Sequence, residues 1–450
     1  MIDILALLQH LSPALSKTTI RQMSRIIPAI LAMTGRVTML GISRWTDQGG
    51  SYRTIQRFFH TTIPWASVMW QFFRQHLYQA EDVYLIGGDE CVVTKSGKLT
   101  HGLDRFFSSL FGKPVPSLAF FALSLINTRE RRSYPVMVEQ VVRSEAEKTA
   151  AKEKAQKKKT KKKSKKSQQK GKRGRPKGSK NRDKTQVELT PELQRIQKMV
   201  QTLLNLIGKL IPVSYLVLDG HFGNNNALQM TLQCGVDLIS KLRCDSALYF
   251  CYEGENKRQK YGDKIDYANI PAKYLTETTV EEGIRTNIYQ AKMRHREFSQ
   301  ALNVVIIVKR NVETGAWAHV VLFSSDLDLA WDKLVDYYRL RFQIEFNFRD
   351  AKQYWGLEDF MNVKETSVTN AATLSLFMVN VSQLLLRDFR RQNSNVNVLD
   401  LKAYFRGHKY VTETIKLLPQ KPDPILMGEI FATIAQLGSV HNTQPSLNTS

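Results

Sequence analysis

Within YYRLRFQIEFNFRDAKQYW, residues 337–355, four side chains able to handle phosphate or metal recur among aromatics: Tyr338, Arg341, Glu345 and Lys352. At about 100° per residue of α-helix they fall near 0°, 300°, 340° and 320°, a single arc of about 60°. Leu340, Ile344 and Phe348 form an adjacent apolar stripe, so one helix here packs by the stripe and turns the polar arc to a cleft. As bare helix chemistry the pattern equally suits an exposed face with an Arg341–Glu345 i,i+4 ion pair, the commoner use of such spacing. Two aspartates stand far upstream. Asp89 ends the predicted strand in VYLIGGDECVV, and Asp219 ends the one in VSYLVLDG. In open α/β sheets the carboxyl ends of strands border the ligand crevice, where a carboxylate is well placed to bind a metal ion. An aspartate at a strand end also starts turns and caps helices, so neither carries the case alone.

The elements that must position these residues follow from periodicity. Residues 1 to about 80 read as helices, with 3.6-residue apolar spacing in TIRQMSRIIPAILAMTG. A Gly-Gly break and Ser51 precede YRTIQRFF, a short helix presenting Arg53 and Arg57, similar to the second half of a helix-turn-helix. The pattern then turns to strands at VYLIGGDECVV, SLAFFALSLIN and RSYPVMVEQVV. Thr190, Pro191 and Glu192 open a helix as N-cap, first-turn proline and first-turn acid. A buried strand, a Gly-rich turn, a helix and the strand VDLISKLR come next. Residues 244 to about 325 read as strands joined by polar turns, and the rest as helices. Setting that segment aside, the order β-β-β-α-β-α-β-α predicts an α/β layer structure around one sheet.

Composition points to a polyanion. The chain of 450 residues carries a net charge of +24, with 42% apolar residues. Residues 148–184 hold 19 Lys/Arg against 2 acids, so +17 is local and the remaining +7 (24 − 17) is spread over the rest. Such a run fits nucleic acid best. Within it, KRGRPKGSKN is similar to an AT-hook: Arg173, Gly174, Arg175, Pro176 and Lys177 form a narrow extended segment suited to an A·T-rich minor groove. The low-complexity run does not fold alone. Four cysteines (Cys91, Cys234, Cys244, Cys251) in no paired or zinc spacing suit apolar fillers in a reducing cytosol. No basic n-region opens the chain, and no apolar run approaches the ~18 residues of a span, so no membrane is expected.

Tyr-x2-Arg-x3-Glu-x6-Lys, together with the order Asp89, Asp219, β-rich segment, Glu345 at separations of 130 (219 − 89) and 126 (345 − 219) residues, resembles one large group of bacterial insertion-sequence DDE transposases, the insertion-sequence-four-like group with the Tyr-Arg-Glu-Lys signature. TKSGK and GLDRFF after Asp89 are similar to family phrases. The resemblance covers roughly residues 80 to 360. It implies a ribonuclease-H-like mixed sheet flanked by helices and interrupted by a β-rich insert. An all-helical N-terminal domain and a helical C-terminal region flank that core. The divisions are a helical DNA-binding domain over 1–80, core over 81–144, a basic disordered segment over 145–186, core over 187–243, insert over 244–326, the Glu helix over 327–360, and a helical region over 361–450.

Carried onto this sequence, Asp89, Asp219 and Glu345 are the catalytic and metal-binding residues for two Mg²⁺ or Mn²⁺ ions. Such a pair activates a water or 3′-hydroxyl for in-line displacement at phosphorus. Tyr338, Arg341 and Lys352 contact phosphates of the transposon end, and Trp317, the insert's one tryptophan, is the candidate to stack a flipped base. A hairpin-ended excision intermediate follows from the resemblance only. The expected partners are terminal inverted repeats and target DNA, bound by a homodimer in the bacterial cytoplasm at the nucleoid. Glu90 points away by strand alternation. His221 is expected as a turn residue near the site, and His295 as an ordinary strand end. Two rival readings remain: a non-catalytic AT-hook architectural protein, and a ribonuclease-H-like metal nuclease that cuts without joining.

Overall fold

Strands rich in β-branched and aromatic residues pair across large sequence separations and set the architecture. In the computed structural model, residues 3–47, 49–108, 110–149, 183–256, 258–435 and 437–441 are described. The hook-like residues Arg173 to Lys177 lie outside them. Among the described residues one mixed sheet of twelve strands runs in the order β2-β3-β1-β5-β6-β12-β11-β10-β7-β8, with β4 beside β3 and β9 (Leu275–Glu281) beside β10 (Ile284–His295), and with β7 (Leu248–Cys251) and β8 (Tyr261–Lys264) at the far edge. Its centre is β1 (Tyr84–Thr94), antiparallel to β3 (Lys113–Asn127) and parallel to β5 (Tyr215–Val217); β5 is in turn parallel to β6 (Asp237–Leu242). This is a mixed α/β protein with one large mixed sheet and helices, of the kind the resemblance leads one to expect.

Three details differ from the sequence reading. Asp89 does not end β1. Pairing with β3 continues from Asp89 opposite Ala122 to Thr94 opposite Ser117, while the parallel ladder to β5 stops at Gly87 opposite Val217. Asp89 therefore sits just past the point where β1 and β5 part. Second, GLDRFF contributes an unforeseen strand, β2 (Asp104–Ser108), hairpinned to β3. Third, residues 337–355 are not one helix. Helix α8 (Trp331–Leu340) ends and α9 (Gln343–Tyr354) begins around Arg341 and Phe342, whose backbones stay right-handed helical. The junction is tightened by i→i−3 bonds, among them Arg341 N to Tyr338 O and Ile344 N to Arg341 O. The cause is packing: α8 lies against β6, β11 (Ala301–Asn311) and β12 (Trp317–Ser324), whereas α9 lies against β1 and β4 (Arg132–Val141). A twisted sheet presents those strands at different angles, so one straight helix cannot cover both.

The strands between residues 244 and 325 extend the sheet, and the last of them, β12, pairs antiparallel with β6 through Val321–Leu242 to Ser324–Ile239. On the other side of β1, helices α1 (Ile4–Gln9), α2 (Lys17–Ala32), α3 (Met39–Trp45), α4 (Tyr52–His60) and α5 (Trp65–His76) meet the C-terminal helices. The long α10 (Glu365–Gln392) packs against β4, α4 and α5, and α5 itself also lies on β4. By length and composition α10 could cross a membrane, beyond what the sequence reading foresaw, but 83% of its apolar window is buried inside the fold, as in a core helix. Buried Asn370 on α10 accepts from Trp65 Nε1 at 2.8 Å and donates to Phe59 O at 2.9 Å and Thr61 O at 2.8 Å, closing the end of α4 onto α10. Lys402 and Arg406 of α11 (Val398–Leu417) donate to Ile30 O and Ala32 O at the end of α2. These cations satisfy last-turn carbonyls that have no partner within the helix. The N- and C-terminal helices thus share one layer. The N-cap of α6 (Pro191–Ile207) is Thr190, whose hydroxyl accepts from Leu193 N at 3.3 Å.

Candidate active site

The aspartates are brought together by the parting of β1 and β5. Asp219 stands two residues past the end of the short β5 and caps a 3-10 turn, its carboxylate accepting from His221 N at 3.1 Å. Ser240 Oγ on β6 donates to Asp219 O at 2.7 Å and pins the turn. Glu345 arrives on the first turn of α9, whose N-terminus favours a carboxylate. How closely α9 lies on β1 is decided by Gly87, since a Cβ there would stand 2.6 Å from both Ile344 Cδ1 and Ile126 Cδ1. Glycine in the middle of a strand costs stability but allows this approach.

Asp89, Asp219 and Glu345 line one open cleft of about 1060 Å³. Between two of them lies Arg341. Its Nη1 donates to Asp89 Oδ2 at 2.7 Å and its Nη2 to Glu345 Oε1 at 3.2 Å, while the buried Nε has no partner. The i,i+4 ion pair anticipated as the ordinary use of this spacing is present, but its guanidinium also spans to a strand 252 residues away. Burial raises the Asp89 carboxyl above the usual range; Arg341 and the Glu90 amide act against this, and Asp219 and Glu345 add to it. Burial alone would lower Arg341, yet Asp89, Tyr338 and Glu345 hold it above its ordinary value. The cluster is short of positive charge even with Arg341 in place.

The other anticipated residues divide. Tyr338 is half-buried with its ring 6.0 Å from the Arg341 guanidinium carbon, and burial raises its hydroxyl. Lys352 lines the cleft but donates to Val92 O at 2.9 Å and pairs with Glu358 at 3.2 Å. Trp317 does not line the cleft. It begins β12, four residues before the pairing of Val321 with Leu242 at the end of β6, and stacks on His319, which stacks on Tyr267. Its exposure of 41% is not that of a core residue. Glu90 faces the opposite side of β1, toward Glu192 and Arg195 of α6, and reaches the rim of the cleft. His221 is on the same rim, 3.5 Å from Glu192, whose hydrogen bond raises its pKa. His295 is a strand-end residue whose ring packs on Phe298. Cys244 is exposed, unlike the filler expected of it, and Cys91 is buried.

A family model described as DDE superfamily endonuclease matches residues 10–300. The chain belongs to that family. No curated protein matches it. The DDE endonuclease match carries Asp89 and Asp219 and stops before Glu345. Membership implies a nuclease acting on DNA, and DDE nucleases typically use divalent metals. The residues of this DDE endonuclease fit such an ion in donor chemistry: three carboxylates, all oxygen, with a deficit of positive charge. Among the described residues no three acidic, His or Cys side chains stand close enough to hold one as they lie, and Arg341 is the cation between two of the carboxylates.

Proposed function

We propose that this DDE endonuclease is a transposase of the Tyr-Arg-Glu-Lys group, cutting DNA at the ends of its own element and joining the freed 3′-hydroxyl to a target. The observation that carries the reading is the convergence of Asp89, Asp219 and Glu345, 130 (219 − 89) and 126 (345 − 219) residues apart, on one cleft bordered by cations. Asp89, Asp219 and Glu345 would hold two Mg²⁺ or Mn²⁺ ions, which when bound supply Lewis-acid stabilisation of charge at the phosphorus and its attacking and leaving oxygens. The backbone amides of Glu90 and His221 orient the carboxylates of Asp89 and Asp219 before DNA arrives.

Arg341 offsets the charge of Asp89 and Glu345 in the free protein and turns one of those bonds over to a phosphate oxygen when DNA binds. Tyr338 donates to a neighbouring phosphate. Lys352 exchanges its bond to a carbonyl for one to the backbone of the same strand. Exposed Arg53 and Arg57 on α4 and the basic segment around Arg173–Lys177 add sequence-independent hold, so binding falls steeply with salt. Trp317 is kept as a base-stacking residue on the insert. Two ends need two active sites, which calls for a homodimer on DNA in the cytoplasm.

The test is a labelled duplex spanning the boundary of the element that encodes the chain, incubated with Mg²⁺ or Mn²⁺. Wild type is expected to cut at the boundary and join the end to a second duplex. Asp219→Asn and Glu345→Gln are expected to bind without cutting. Equal cutting by the variants removes the carboxylate assignment, and cutting without joining favours the simple nuclease.

A further inference from the structure

The cleft is richer in carboxylates than in cations. Six acids line it against four Lys or Arg side chains, and three of those four have a different carboxylate beside them. Lys352 lies 3.2 Å from Glu358, Arg349 2.9 Å from Asp350 and Arg143 3.6 Å from Asp104. Among the described residues Arg341 is the one that reaches the catalytic carboxylates. It takes particular oxygens. Asp89 Oδ1 accepts from the Glu90 amide at 2.8 Å, and Arg341 Nη1 holds the remaining oxygen, Oδ2, while Nη2 holds Glu345 Oε1. The guanidinium is itself incompletely satisfied in this position. Its side chain is largely buried, and the buried Nε has no partner, a desolvation that no hydrogen bond offsets. Arg341 thus stands where two carboxylates meet, in a placement that leaves one of its own donors unused.

We propose that Arg341 is a stand-in cation: it holds the Asp89–Glu345 pair in the free protein and keeps a divalent ion from that pair until a DNA phosphate draws the guanidinium away. This rests on the DNA-cleaving reading of the same cleft. Two positive groups cannot share one pair of carboxylate oxygens at little cost. Like charges a few Å apart in a protein cleft repel strongly enough to weaken binding by on the order of a hundredfold. A phosphate is a suitable competitor, because it accepts the paired guanidinium donors in the same way as a carboxylate does. Leaving the pair also removes the cost of the unpartnered Nε. The Tyr338 ring, 6.0 Å from the guanidinium carbon, gives the cation an aromatic face to move onto. By linkage the coupling runs both ways, so that DNA tightens the ion and the ion tightens DNA by the same factor. The consequence is one of order: the hydrolytic site is completed on bound DNA, and the free chain is kept from assembling it.

The experiment titrates the full chain with Mn²⁺ and reads the free ion by electron paramagnetic resonance, so that no turnover is needed. The DNA is a duplex ending at the element boundary in a 3′-deoxy sugar, with no boundary left to cut and no 3′-hydroxyl to join. Asp219→Asn, alone and with the same duplex, supplies the background of ions held by DNA and by the protein surface. Above that background, wild type is expected to bind Mn²⁺ roughly tenfold more tightly with the duplex than without it. Arg341→Gln is expected to bind Mn²⁺ in the free state roughly tenfold more tightly than wild type, with most of the coupling to DNA gone. Arg341→Lys keeps the charge but reaches one carboxylate at a time, and its free-state affinity is expected to fall between the two. It carries the comparison if urea unfolding shows that the glutamine variant does not fold. The proposal is overturned if the free-state affinity is the same in wild type and the variants, or if wild type binds Mn²⁺ equally well with and without the duplex. It is equally overturned if Arg341→Gln keeps the whole coupling, the duplex then acting through its own phosphate oxygens on the ion. Failure of the cleavage reading itself appears separately, as cutting of the intact boundary duplex that does not depend on Asp219 or Glu345.

Discussion

Replacing Arg341 by glutamine should destabilise the protein in a way that depends on pH. The guanidinium stands 2.7 Å from Asp89 and 3.2 Å from Glu345. At an effective dielectric constant of about 20, charges about 4 Å apart attract by roughly 4 kcal/mol. The Asp89 side chain is 22% exposed and that of Arg341 13%, so this contact is little screened. Glu345 is 42% exposed, and its contact contributes at most about 1 kcal/mol. Removing one partner of a buried pair costs about 3–5 kcal/mol, from which the recovered desolvation of Arg341 and one glutamine hydrogen bond subtract. A net loss of about 2–3 kcal/mol near pH 7.5 is expected. Asp89 already has a raised pKa, and Arg341 is the chief group opposing the rise. Between the ordinary carboxylate range and its raised value the folded state binds more protons than the unfolded state. Stability therefore falls as pH rises through that window. Without Arg341 the window extends upward, so the variant should recover on acidification by up to about 1.4 kcal/mol per pH unit. Urea unfolding followed by tryptophan fluorescence at pH 5 and 7.5 measures this; buried Trp355 follows α9 directly. A loss equal at the two pH values, or none at 7.5, would refute the view that the guanidinium compensates Asp89.

Gly87→Val is expected to lift α9 from β1, abolishing cutting with a Tm lowered by several degrees, while Gly87→Ala costs about 1–3 kcal/mol and retains activity; thermal unfolding and the duplex assay together check both. Asn370→Leu leaves the carbonyls of Phe59 and Thr61 and the Trp65 indole without their buried partner, and a loss of about 2–3 kcal/mol is expected in urea unfolding. Burial lowers Lys402 to about 8, with Arg406 adding to the effect. The folded state then binds fewer protons than the unfolded state from about pH 8 to the ordinary lysine value. Stability should accordingly rise with pH there, and Lys402→Met should flatten the rise in urea midpoints taken from pH 7 to 10.

Local chemistry is what the sequence reported well. Thr190-Pro191-Glu192 announces a helix start because capping is settled within one turn, and the structure has that cap. Strand alternation likewise turns Glu90 toward Glu192 and Arg195, although the side chain still reaches the rim of the cleft, which alternation alone does not show. The spacing of Arg341 and Glu345 foretold their ion pair for the same reason. Tertiary structure decided what depends on partners distant in the chain. Asp89 lies within β1, not at its end, because β3 goes on pairing after β5 has stopped, and no residue near Asp89 encodes the length of β5. The break at Arg341 and Phe342 has no proline or glycine to announce it; it follows from two helices having to cover differently oriented strands. That the Arg341 guanidinium also takes Asp89 Oδ2 was hidden because spacing names a partner one turn away but not one on a strand 252 residues distant. Spacing along a chain carries angles within one element, whereas the approach of Asp89, Asp219 and Glu345 to one cleft is a sum over pairings that only the folded sheet evaluates.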